Sequence, residues 1–181
     1  MQNKVPTHNI EFVPPGSVVA GEPGSFFLCH RSGIASRIIG FGERVRSTTR
    51  PYAYWTHCGV FWHSRGGIVE ALTKGVVIDN IEAYRDIPYA IVHIEATTET
   101  VTEMLAYVDA CVGEEYNWLE IVASGLNMVT GSAVSLGVDG HQICSGLVAG
   151  MLTHGGAIFD MSSDHVTPAD LGRYFGVLPS G

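Results

Sequence analysis

Apolar positions along this chain recur at two periods, and the change from one to the other marks its elements. Residues 25–30 (SFFLCH) form an apolar run that predicts a strand. Ile34, Ile38, Phe41 and Val45 then recur at helical spacing, which predicts an amphipathic helix over 33–45. Four short β-like runs follow, each broken by glycine or polar turns: 57–62 (HCGVFW), 67–71 (GIVEA), 75–79 (GVVID) and 89–95 (YAIVHIE). Thr100 and Glu103 have the spacing of a capping box, ahead of an apolar face made by Val101, Met104, Leu105, Val108 and Val112. Cys144, Leu147, Val148, Met151 and Leu152 line one face of another helix, closed by Gly155-Gly156. A last short helix is expected from Thr167-Pro168-Ala169-Asp170, with a cap, a first-turn proline and an acid three residues on. Strand, helix, several strands and further helices in this order predict an α+β fold, with a mostly antiparallel sheet packed against helices.

Composition narrows the picture. The 181 residues suit one domain, 25–181, behind an irregular lead-in, 1–24, that holds four of the eight prolines. A formal net charge of −8 excludes general nucleic-acid binding. Five of the ten basic residues fall between Arg31 and Arg50, a solvated helix face or a patch for an acidic ligand or anionic surface. The four cysteines, at 29, 58, 111 and 144, match no disulfide framework and read as reduced thiols. The first sixteen residues lack the apolar run of a signal peptide, so the expected location is cytoplasmic, or that of a phage product delivered by other means. Residues 121–138 carry no charge, but Ser124, Asn127, Thr130, Ser132 and Ser135 dilute them. They suit a buried segment, a lid or contact with a lipid surface, and not a membrane span.

The chemistry concentrates on Cys144. At a helix start, unpaired N–H groups and the positive end of the dipole favour the nucleophilic thiolate. The alternative is a small buried hydrophobe. A cysteine nucleophile needs a base and a group that orients the base. His57 begins a strand on which Gly59 shares its face and leaves room beside the ring. Glu70 is a carboxylate inside an apolar run, where an acid requires a partner. The connection Ser64-Arg65-Gly66 is of hairpin length, so Glu70 can lie beside His57 across an antiparallel pair. Cys58 points to the opposite strand face and reads as packing; Cys29 and Cys111 read as core. His141, three residues before Cys144, either lines the site or, the preferred reading, sits on the loop leading into the helix. A zinc site from His57, Cys58, His141 and Cys144 lacks compact ligand pairs, so no metal is expected. No phosphate loop or dinucleotide fingerprint occurs, and no cofactor is expected.

In order, Trp55-Thr56-His57-Cys58-Gly59-Val60, Val69-Glu70-Ala71, Gly75-Val76, Tyr116-Asn117-Trp118, Ile143-Cys144-Ser145-Gly146-Leu147-Val148 and Thr167-Pro168-Ala169-Asp170-Leu171 resemble the circularly permuted NlpC/P60 enzymes. These papain-like cysteine hydrolases, which include a YiiX-like group, place histidine first, then an acid, then cysteine. The resemblance spans about residues 24–175. It implies Cys144 as nucleophile, His57 as general base and Glu70 as the residue that orients it, with the Cys144 N–H as an oxyanion donor. Tyr116 matches a recurrent aromatic ahead of the cysteine segment, and Tyr116, His141 and Ser145 are the candidate cleft-lining residues.

The implied activity is thiol hydrolysis or acyl transfer through a thioester, on a peptide or peptidoglycan amide or a lipid acyl ester. A catalytically silent module of the same fold, binding peptide, glycan or lipid, is the alternative.

Overall fold

The structure is a computed structural model, described here for residues 4–31, 51–72, 75–113 and 140–179. Six strands, β1 (His8–Val13), β2 (Phe26–Cys29), β3 (His57–His63), β4 (Gly67–Leu72), β5 (Gly75–Asn80) and β6 (Tyr89–Ile94), form one sheet in the order β1-β6-β2-β3-β4-β5. Every pairing is antiparallel. Three α-helices, α1 (Thr98–Cys111), α2 (Gly140–His154) and α3 (Pro168–Phe175), complete an α+β architecture among the described residues.

Side-chain alternation sends the strands' apolar residues to two cores. Phe26, Leu28, Cys58, Val60, Val69 and Ala71 face α2, which buries Cys144, Leu147, Val148, Met151 and Leu152 against them. Phe27, Cys29, Phe61 and Ile68 face the other way, under Ile81, Tyr84 and Tyr89. The central strand β2 is fully buried, which explains its uninterrupted apolar sequence. Between β3 and β4 the turn ends at Gly66, whose φ of +77° suits glycine.

Three expectations change. The lead-in is not wholly irregular: His8–Val13 is the edge strand β1, paired with β6 from His8↔Ile94 to Val13↔Tyr89. Edge position explains its weak signal, because most of its side chains stay solvated and only Val13 is buried. Helix α1 starts three residues before the expected site. Its cap is Thr97, whose hydroxyl accepts from the Thr100 N–H, so the first threonine of the run takes the role given to Thr100. Helix α2 begins at Gly140, four residues before Cys144. The α3 expectation holds in detail: Thr167 and Asp170 form a reciprocal capping box, with Pro168 in the first turn. The expected 33–45 helix and the uncharged 121–138 segment lie outside the described residues. No described helix is long and apolar enough to cross a membrane.

Candidate active site

The start of β3 is held from both sides. Trp55 donates from Nε1 to the Val177 carbonyl, just past α3, at 2.7 Å. The Thr56 N–H donates to the Cys29 carbonyl, and the Arg31 N–H to the Thr56 hydroxyl at 2.9 Å. These bonds fix His57 as the first residue of β3, opposite Cys29 at the end of the sheet.

The pairing Val60↔Val69 sets the register between β3 and β4. Continued toward the strand end, it puts Gly59 opposite Glu70 and makes Glu70 the diagonal neighbour of His57 on one face. The side chains meet: His57 Nε2 lies 2.6 Å from Glu70 Oε2. Both are buried, at 6% and 1% exposure. The room expected beside Gly59 is filled by Phe27; a Cβ on Gly59 would lie 2.7 Å from the Phe27 ring. Phe27 in turn meets the His57 ring edge-on, at 6.3 Å between centroids.

Tyr84 is part of the site and escaped the sequence reading. It ends a short 3-10 turn, Ile81–Tyr84, capped by the Asn80 side chain after β5. Its hydroxyl donates to Glu70 Oε2 at 2.5 Å. Its ring is parallel to that of His57 within 6°, at 6.2 Å. Arg31 lies over the Tyr84 ring, 5.5 Å from its centroid, with Nη1 3.4 Å from the hydroxyl. The only signal in sequence was a tyrosine four residues beyond a strand that neighbours β4.

Cys144 is fully buried and belongs to the core on the α2 side of the sheet, together with Cys58. Its sulfur is hydrogen-bonded to both the Cys58 thiol and the His57 ring. His57 is thus shared between Glu70, which meets its Nε2, and the Cys144 sulfur. Cys58 is therefore more than packing: it points away from His57, as expected, but toward Cys144.

The electrostatics follow from these contacts. The Cys58 hydrogen bond and the His57 charge outweigh burial and hold the Cys144 thiol well below its ordinary range. Burial and the hydrogen bond to Cys144 push Cys58 up. Burial disfavours charge on His57, but the Cys144 thiolate and Glu70 prevail and raise it to about 9. Glu70 is lowered in spite of burial, because His57 and Tyr84 both donate to it. Thiolate, imidazolium and carboxylate are thus mutually stabilised near neutral pH.

The remaining candidates separate. Ser145 is fully buried, and its hydroxyl donates to the Val166 carbonyl at 2.5 Å, which ties α2 to the segment before α3. This bond anchors the helix that carries Cys144. His141 sits in the first turn of α2 and not on a preceding loop; its side chain, and all of Tyr116, lie outside the described residues. Cys144 is the fifth residue of α2, so its N–H falls within the regular i→i−4 pattern and is not one of the four unpaired donors. The oxyanion role expected of that N–H does not fit this position. Among the described residues no group of three or more His, Cys, Asp or Glu is arranged to hold a metal.

An apolar cavity of about 270 Å³ opens at the same end of the sheet, lined by Phe12, Val13, Tyr54, Trp55, Tyr89 and neighbouring prolines. Val13, Tyr89, Cys29 and His57 follow one another across four strands in register. Two strand spacings put Tyr89 ~10 Å from His57.

Compared with models of known protein families, the chain gave no match, and compared with curated protein sequences it gave none.

Proposed function

We propose that this protein is a papain-like cysteine hydrolase or acyltransferase of the permuted NlpC/P60 type, with Cys144, His57 and Glu70 as its triad. The observation that carries the reading is the buried His57–Glu70 pair, 2.6 Å apart, beside a cysteine that the His57 charge helps to hold below its ordinary pKa range. A purely structural core gains little from three buried ionisable groups, because each loses hydration.

In this mechanism the Cys144 thiolate attacks a substrate carbonyl carbon, and the carbonyl oxygen takes the charge. As that intermediate collapses, the imidazolium gives a ring proton to the leaving amine or alcohol, and a thioester remains on Cys144. Neutral His57 then removes a proton from water or another acceptor, which attacks the thioester. The acyl group leaves, and the thiolate–imidazolium pair is restored. Glu70 keeps its charge throughout and holds the ring by Nε2. The substrate classes are a peptide or peptidoglycan amide and a lipid acyl ester. The cavity beside Tyr54 and Tyr89 suits an apolar part of such a substrate.

One observation favours a second reading, a binding module without turnover: the Cys144 side chain is fully buried. Attack by a sulfur in that position requires local movement. Incubation with a p-nitrophenyl acyl ester, followed by mass spectrometry of the Cys144 peptide, separates the readings. The enzyme reading predicts an acyl adduct on Cys144 and release of nitrophenol. A protein that never acquires the adduct is the binding module.

A further inference from the structure

We infer that Tyr84 is a positioning residue of this site, which fixes the Glu70 carboxylate and thereby sets the lower pH limit of Cys144 reactivity. The inference rests on the triad proposed above and adds a fourth member to it.

The geometry is specific. Tyr84 is nearly buried, at 2% exposure, yet its hydroxyl is spent on a single acceptor, Glu70 Oε2. That same oxygen accepts from His57 Nε2. Two donors on one oxygen hold the carboxylate in one orientation, and both favour its charged form. The parallel ring of Tyr84 and the edge of Phe27 form apolar walls around the His57–Glu70 contact. Arg31, lying over the ring, supports the same charge from outside.

Tyr84 is unsuited to proton transfer. Burial and the Glu70 charge push its hydroxyl well above the ordinary range, so it remains a donor at every working pH. Glu70 is faced by His57 from β3, by Tyr84, by Arg31 and by Cys29 at the end of β2, with Cys58 close enough to feel its charge. Of these, only His57 and Tyr84 donate to it. Removing the Tyr84 hydroxyl therefore takes away one of two donors and leaves the ring packing in place.

The test is the rate of Cys144 alkylation by iodoacetamide against pH, in wild type and Tyr84→Phe. Loss of the donor should move the acidic limb of the profile upward by about one pH unit, with the rate above the limb unchanged. A uniform loss across all pH values, or an unmoved limb, overturns the inference. If Tyr84→Phe does not fold, full-length protein made with 3-fluorotyrosine gives the opposite test: a stronger phenol donor should move the limb downward, and an unmoved limb again overturns it. An unreactive Cys144 in the wild type would instead overturn the triad itself, so the two failures are distinct.

Discussion

Cys58, and not His57, shares a sheet face with Cys144. Along β3, Cys58 and Val60 point toward α2, while His57 and Phe61 point to the opposite core. His57 meets the sulfur because it is the first residue of its strand, where its ring lies at the sheet's end. The Cys144 sulfur is thus held between a histidine from one face and a thiol from the other.

The Cys58 thiol follows from this as a tuning group. Cys58→Ala removes the hydrogen bond that most favours the Cys144 thiolate. Alkylation of Cys144 at pH 6 should slow about tenfold, while the rate at pH 10, where the thiol is ionised without help, should stay the same. A rate lowered equally at both values would mean that Cys58 only packs.

The charge on His57 depends on its partner sulfur. Cys144→Ala deletes the thiolate, and burial then acts against only Glu70. The His57 ring should titrate at lower pH in the variant than its wild-type value of about 9, measured by proton NMR of the imidazole. An unchanged titration would show that Glu70 alone sustains the charge.

Stability should carry the same signature. His57 binds its proton more tightly in the folded state, at about 9, than at its ordinary value of 6.5. Its contribution is therefore complete below about 6.5 and is lost as pH rises through about 9. The difference in urea-unfolding free energy between wild type and His57→Gln should shrink from pH 6 to pH 10. A difference that grows over this range would reverse the assigned sign.

Gly59 is needed for space. A Cβ there meets the Phe27 ring at 2.7 Å and the Val69 carbonyl oxygen at 3.2 Å, and backbone cannot yield as a side chain can. Gly59→Ala should cost about 1–3 kcal/mol in chemical denaturation. Because Phe27 also walls His57, Cys144 alkylation should fall as well. Wild-type stability in this variant would show that the ring can move aside freely.

Much of this arrangement was legible in sequence, for definite reasons. The strands around His57 and Glu70 are short, apolar and bounded by turns, and a carboxylate at position 70 stands out within such a run. The α3 start was equally clear, since Thr167, Pro168 and Asp170 act within one turn of chain. Tyr84 was not legible, because a 3-10 turn has no hydrophobic period and its partner is set by tertiary packing. The role of Cys58 was hidden because strand alternation says which residues part company, but not which face α2 covers. β1 was hidden by its solvated side chains, and the start of α2 lay ahead of its first apolar residue.

Activation of Cys144 by Glu70 and His57 is the proposal on which the other predictions depend. Its most direct test is peptide mapping after a limiting dose of iodoacetamide at pH 6, on wild type and Glu70→Gln. A glutamine accepts from Tyr84 but turns an N–H toward His57 Nε2, which favours the neutral ring and removes the imidazolium beside the sulfur. Cys144 should be labelled ahead of Cys29, Cys58 and Cys111 in the wild type, and about tenfold more slowly in Glu70→Gln. Equal labelling of all four cysteines in the folded protein, or a Cys144 rate indifferent to Glu70→Gln, would contradict it.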